Sequence, residues 1–318
     1  MPHRSRSSHH VRPHISRAAL VNLALVGLVL YILVPAFGGL EQTLHVLQRA
    51  DAEFIGAAII LITVNFGVAA LIYVLLAPRS IRFRPTLCVQ LAGGFVNRLL
   101  PAGLGNLGLN ALYLMRHGHS AGAAGAVVAT NNVLGILGNV LLVTTALVFS
   151  SVSIPNIQVP QPSLLIVVGM AAVGAVLFLL AQRMKRSAPL IHKALQDAVQ
   201  NMHLYEQRKL RLLAALVCSM FLTALHAAAI YAVARALAVE LHPAQALFAI
   251  SVGAFVGAAV PTPGGLGGAE AGIVATLVAY GVPYHLALPI ALGYRLITFW
   301  LPLIPGMIML HIVEKKYL

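Results

Sequence analysis

Apolar residues run along this chain in long blocks, with polar residues gathered at the block ends rather than alternating within them. Blocks at 18–38, 54–77, 121–149, 163–182, 212–236 and 285–311 end at Arg, Lys, Pro or polar clusters. A helix needs roughly 20 apolar residues to cross the hydrocarbon of a bilayer, so each block predicts a membrane span. Two further blocks, 87–116 and 244–280, are equally apolar but break at Pro-Gly sequence. Composition agrees with this pattern. Hydrophobic residues make up 59% and charged residues 9%, with mean hydropathy +0.89, whereas ordinary soluble domains carry about a quarter charged residues. The expectation is an all-α polytopic membrane protein, with about six transmembrane helices and two re-entrant broken helices.

Charge orients the blocks. Basic residues concentrate in the amino-terminal tail at 1–17 (Arg4, Arg6, Arg12, Arg17), in 78–86 (Arg79, Arg82, Arg84) and in 183–211, while the loops at 39–53 and 150–162 share only Arg49. The positive-inside rule puts the basic segments in the cytoplasm. The corner at Arg116–His117 and the tail at 313–318 then also lie inside, so both termini are cytoplasmic. It follows that 87–116 dips in and returns from the inner face, and 244–280 enters and leaves from the outer face. Of the 21 Lys and Arg residues, 17 then fall inside, two outside (Arg49, Arg235) and two within membrane segments (Arg98, Arg295). The formal charge of +13 therefore follows the membrane and forms no soluble basic face, which argues against nucleic acid.

Residues 18–312 read as a single membrane domain. The run at 18–38 is long for a signal peptide and is expected to be a retained first helix. His3, His9, His10 and His14 could bind metal, but a basic tail near lipid headgroups is the preferred reading, and no metal or cofactor is expected. Segment 188–208 carries apolar residues at helical spacing against a polar face and is expected to lie on the inner membrane surface, where anionic lipids attract it. Cys88 and Cys218 lie far apart without metal-ligand spacing and read as buried thiols.

The two broken blocks resemble each other. PAGLGNLG at 101–108 aligns with PGGLGGAE at 263–270, GGFV at 93–96 with GAFV at 253–256, and Gly118 with Gly281. Entering from opposite faces, they form an inverted-topology repeat: 54–149, a linking span at 163–182, then 212–311. Such pairs recur in transporters that alternate access. The breaks fall at Pro101, Gly103, Gly105, Pro261, Pro263, Gly264, Gly265 and Gly267. Pro removes a backbone donor and Gly permits sharp turns. Non-helical backbone at membrane depth is tolerated only inside protein or beside a wet cavity. Free N–H groups after Gly105 and Gly267 would attract an anion such as phosphate; the competing reading is that the glycines simply allow tight helix packing.

Arg98, Glu270 and Arg295 are ionisable residues in apolar segments, each costing about 2.5–3.5 kcal/mol at mid-span if unpaired. An ion pair between Glu270 and Arg295 is expected. Two guanidinium groups able to grip phosphate in a two-pronged way make Arg98 and Arg295 the leading headgroup ligands. Asn106, Asn110, Asn131 and Tyr294 join them as candidates, Asn139 reads as helix glue, and His226 as a packed hydrogen-bonder or a proton relay. No HExxH, GxSxG, P-loop or paired acidic motif is present, so no enzymatic chemistry is expected.

PTPGGLGGAEAGIVATLVAYGVPYHLALPIALGYRLITFWLPLIPG, together with NRLLPAGLGNLGLNALYLMRHG, resembles the lysylphosphatidylglycerol synthase transmembrane-region family, a flippase-like module, over roughly residues 18–312. The resemblance implies a lipid translocase fold in a bacterial cell membrane. It maps the family pattern P-x-PGG-x-G-x-x-E with a later Arg onto Pro261, Pro263, Gly264, Gly265, Gly267, Glu270 and Arg295. The family's first motif often reads GE-x-x-R; here Gly105-Asn106-Leu107-Gly108-Leu109 lacks both charges. A member without the synthase domain is implied, which would not itself aminoacylate lipid.

The leading expectation is a translocase for a phosphate-bearing lipid, a phospholipid or a polyprenyl-phosphate-linked sugar. The alternatives are a transporter of small polar solutes or ions, a membrane-embedded transferase, and a non-catalytic partner of a cell-envelope lipid enzyme.

Overall fold

The computed structural model describes residues 47–99, 104–150, 152, 208–260 and 262–317. The predicted tail at 1–17, the first span at 18–38, the linking span at 163–182, nearly all of the surface helix at 188–208, and Pro101, Gly103 and Pro261 lie outside the described residues. All regular structure among the described residues is helical. In chain order the helices are α1 (Ala52–Leu76), α2 (Phe83–Leu99), α3 (Leu104–Arg116), α4 (Ala121–Phe149), α5 (Lys209–Ala236), α6 (Pro243–Ala259), α7 (Gly268–Ala279), α8 (Tyr284–Arg295) and α9 (Leu303–Lys316), with a π-helical turn (Leu296–Trp300) between the last two. Among the described residues four stretches are long and apolar enough to cross a membrane: α1, α4, α5, and Tyr284–Lys316. The protein is an all-α polytopic membrane protein.

Several predicted boundaries shift, α2 beginning at Phe83, four residues before the predicted block, and two of the shifts have a clear physical cause. Helix α5 begins at Lys209, three residues before the predicted span, because Lys209 and Arg211 can extend their heads away from the apolar stem and still sit in the first turn. The last block, predicted as one span over 285–311, runs to Lys316 and is interrupted. The backbone N–H of Leu301 reaches back five residues to Leu296, 2.8 Å away, and Pro302 contributes no N–H at all. A helix that meets a proline commonly absorbs it in a widened turn of this kind.

The interrupted blocks fold as helical hairpins, α2 with α3 and α6 with α7. Their open ends lie at opposite ends of the bundle. At one end the Arg208 guanidinium donates to Pro78 O (2.8 Å), and Arg79 donates to Gly118 O (2.7 Å). These contacts gather the starts of α2, α4 and α5 with the end of α3. At the other end the backbone N–H of Asp51 donates to Ala236 O (2.9 Å), joining the start of α1 to the end of α5, where α6 begins. The basic residues Arg79, Arg82, Arg84, Arg116, Arg208 and Lys209 therefore share one end, as the charge pattern required.

Packing repeats under exchange of the two halves. Helix α1 lies along α5; α9 packs on α2 and α4 packs on α6; α3 meets α4 and α7 meets α8. The return corners match in detail. After α3 the His119 N–H bonds Leu114 O, and after α7 the Val282 N–H bonds Leu277 O. Each of these six-residue closures passes through a glycine of positive φ, Gly118 at 80° and Gly281 at 87°, the geometry of a Schellman helix end. Each hairpin has its own buried cluster. Ile72, Tyr73, Val89, Tyr113, Leu114 and Val127 surround the first, and Ile230, Val233, Ile250, Ile273, Leu277 and Ile290 the second. Cys88 and Cys218 are free and half-buried.

Candidate functional site

The hairpins meet at a cavity of about 260 Å³. Helix α2 contributes Gly94, Asn97 and Arg98; α5 contributes His226; the second hairpin contributes Ile250, Gly253, Ala254, Gly264, Ala269 and Ile273. The last span closes it with Tyr294, Arg295, Thr298 and Phe299.

Chain breaks place the charges. Glu270 stands one turn into α7, where its carboxylate accepts the backbone N–H of Gly267 at 2.7 Å on Oε2. Its Oε1 accepts Arg295 Nε at 2.7 Å, and both side chains are 13% exposed. Arg295 Nη2 also donates to Gly264 O, 3.0 Å away, so the guanidinium spans the loop and the helix that follows it. The expected ion pair is present. The expectation of an open anion site at the start of the second half-helix is corrected. That helix end is already capped by its own carboxylate, which complements the N-terminal dipole from within the chain.

Arg98 is held differently. Nη1 donates to Gly94 O, and Nη2 donates to Thr298 O at 2.6 Å. Thr298 O is available because residue 302, whose N–H would close the helical turn onto it, is proline. The break in the last span thus builds the receptor for a cation from the other half of the chain. Among the described residues Arg98 has no carboxylate partner, and its buried Nε and the buried Asn97 Oδ1 have no hydrogen-bond partner. The Phe299 ring lies under both guanidinium groups, with Arg98 Cζ 5.2 Å and Arg295 Cζ 4.5 Å from its centroid. A shared aromatic ring lets two like charges converge at lower cost. His226 Nδ1 and the Tyr294 hydroxyl are hydrogen-bonded at 2.7 Å, tying α5 to the last span.

Of the residues singled out from the sequence, Arg98, Tyr294, Arg295 and Gly264 line the cavity and Glu270 sits behind Arg295. Asn106 and Asn110 do not line it. They belong to a network inside the first hairpin, in which Gln90 Nε2 donates to Asn110 Oδ1 (2.7 Å) and Asn110 Nδ2 donates to Asn106 Oδ1 (2.7 Å). Asn131 is also elsewhere, its amide 3.4 Å from the Tyr73 hydroxyl. Asn139 accepts from Ser251 Oγ at 2.8 Å and joins α4 to α6. Gly105 packs against the first half-helix, where a Cβ would stand 2.6 Å from the Val96 carbonyl. Asn110 is fully buried, so Asn110→Leu is expected to strand the Gln90 amide. The cost should be about 1–3 kcal/mol, read as a lower midpoint of thermal unfolding in detergent.

Sequence reasoning passed over Asn97, Thr298 and Phe299 as site residues. The signals were available: Asn97 adjoins an intramembrane Arg, Thr298 lies four residues before a helix proline, and Phe299 lies four residues after Arg295 on the same helical face.

Fold and cavity together define an all-α membrane protein with charged groups collected where two oppositely directed broken hairpins meet. The chain belongs to the lysylphosphatidylglycerol synthase TM region family, whose model matches residues 20–306. A comparison with curated proteins finds no match. The protein is thus a membrane protein of the lysylphosphatidylglycerol synthase TM region type.

Proposed function

We propose that this protein translocates a phosphate-bearing lipid across the bilayer, the headgroup entering the cavity between the hairpins and the two halves alternating in access to it. The observation that carries this reading is Arg98. It is a guanidinium inside an apolar bundle, without a carboxylate and with a buried Nε that has no acceptor among the described residues. An unpaired charge at membrane depth is costly and marks a ligand path, and a guanidinium fork suits phosphate oxygens. The inverted arrangement supplies a mechanism, because rocking one repeat against the other opens a midplane site to either side. The family to which the chain belongs supports lipid as the cargo.

The protein is read here as a non-enzymatic translocase of a bacterial inner membrane, with both termini cytoplasmic. Its basic end faces anionic lipids of the inner leaflet. A cell-envelope enzyme that makes or consumes the lipid is the expected partner.

The test is leaflet exchange of acyl-labelled phospholipids in proteoliposomes. Wild type is expected to accelerate exchange, and Arg98→Ala to slow it by roughly tenfold or more, the equivalent of about 1.4 kcal/mol of lost headgroup interaction. Failure of the wild type to move any phosphate lipid would sink the proposal. Uptake of a soluble ion without lipid exchange would favour the solute reading.

A further inference from the structure

We infer that the cavity selects headgroups that carry a phosphodiester, have net negative charge and bear no cationic group. The lipid part of this inference rests on the translocase reading; the charge part rests on the cavity alone.

Two guanidinium groups line the cavity, and one carboxylate stands behind them. Glu270 is committed on both oxygens, to Arg295 Nε and to the Gly267 N–H, so the Arg295 charge is balanced from within the chain. Arg98 rests on two carbonyl oxygens, which satisfy hydrogen bonds without neutralising charge. Among the described residues one positive charge is therefore left in excess. None of the described residues that line the cavity is acidic.

The excess has a direction. A single phosphodiester brought beside Arg98 would cancel the charge. An ammonium carried on the same headgroup would meet two guanidinium groups on one aromatic ring and a carboxylate already bound to one of them. Where the side chains are largely buried, like charges at this range repel more strongly than in bulk solvent. Zwitterionic and cationic headgroups are thus disfavoured by an arrangement that suits an anionic one.

The size is compatible with this class. The open cavity of about 260 Å³ admits a phosphate with a short polyol, so a phosphoglycerol headgroup meets the charge criterion and fits the space.

Binding and movement are tested separately. The full chain in detergent is challenged with phosphatidylglycerol, phosphatidylethanolamine and lysyl-phosphatidylglycerol of identical acyl chains, and with soluble glycerophosphoglycerol, and retained ligand is counted by native mass spectrometry. Phosphatidylglycerol is expected to be retained with roughly tenfold or higher affinity over the two amine-bearing lipids. That preference should persist in Arg98→Lys and vanish in Arg98→Gln. Equal retention of anionic and amine-bearing lipids by the wild type overturns the inference, whatever the variants do. Retention of glycerophosphoglycerol as tight as that of the lipid supports the charge selection and assigns the ligand to the aqueous phase. Leaflet exchange of the same lipids then discriminates the two proposals. Selective binding without exchange supports the cavity's charge preference and defeats translocation; exchange of all three lipids at one rate does the reverse.

Discussion

Glu270→Ala is expected to be the most damaging single substitution in the membrane domain, costing about 3 kcal/mol of stability and abolishing lipid exchange. Three losses coincide. Arg295 Nε loses its carboxylate at 2.7 Å, leaving a buried cation without a counter-charge. The Gly267 N–H loses the acceptor that caps α7, worth about 1 kcal/mol by itself. The Phe299 ring is left under two uncompensated guanidinium groups. Removing both members of the pair removes the stranded charge as well. Glu270→Ala with Arg295→Ala should therefore be less destabilised than the two single losses added together, with a coupling of about 2 kcal/mol. The double variant should still fail to exchange lipid, since the cavity's geometry depends on Arg295 bridging α8 to Gly264 O. Thermal unfolding in detergent of the wild type, both singles and the double reads the coupling directly. Strict additivity would mean that the pair holds nothing together.

The second large effect is expected at Gly265. Its φ is +68°, and a Cβ there would stand 2.8 Å from the Gly257 carbonyl oxygen on the facing helix of the hairpin. Gly265→Ala therefore meets the left-handed backbone penalty of about 1–2 kcal/mol and a clash with main chain that cannot rotate away. Gly267 supplies the control. It has φ +82° but nothing within 4 Å of the added Cβ, so Gly267→Ala meets the conformational penalty alone. The unfolding midpoints should rank wild type, then Gly267→Ala, then Gly265→Ala. Exchange should fall most at Gly265, because shifting that turn displaces the neighbouring Gly264 carbonyl that holds Arg295. Equal effects at the two glycines would show that the close approach of α6 to the loop is not what demands glycine.

The opposite outcomes at the two breaks show where sequence pattern runs out. Glu270 three residues after Gly267 is a spacing that either caps a helix or coordinates a ligand from its first turn; sequence alone cannot separate them. The cap prevails because Arg295, twenty-five residues later, arrives on the same carboxylate. The first break carries no charge near its start, and its asparagines spend their hydrogen bonds on Gln90 and on each other. A buried amide takes the nearest satisfying partner, and in a narrow hairpin that partner is the facing helix.

Much of the architecture was written locally. Block lengths set the spans, Pro and Gly set the breaks, and the distribution of Lys and Arg separated the two ends of the bundle, since bilayer thickness, backbone hydrogen bonding and headgroup charge act on each segment by itself. The repeated corner glycines were legible for the same reason: a helix end with positive φ is a local demand. The site was not local. Arg98 and Thr298 are two hundred residues apart, and their meeting depends on Pro302 freeing a carbonyl, on Phe299 offering one ring to two cations, and on α9 packing against α2. Which charge is balanced and which is left without a carboxylate among the described residues is a sum over neighbours in space, and only the tertiary structure decides it.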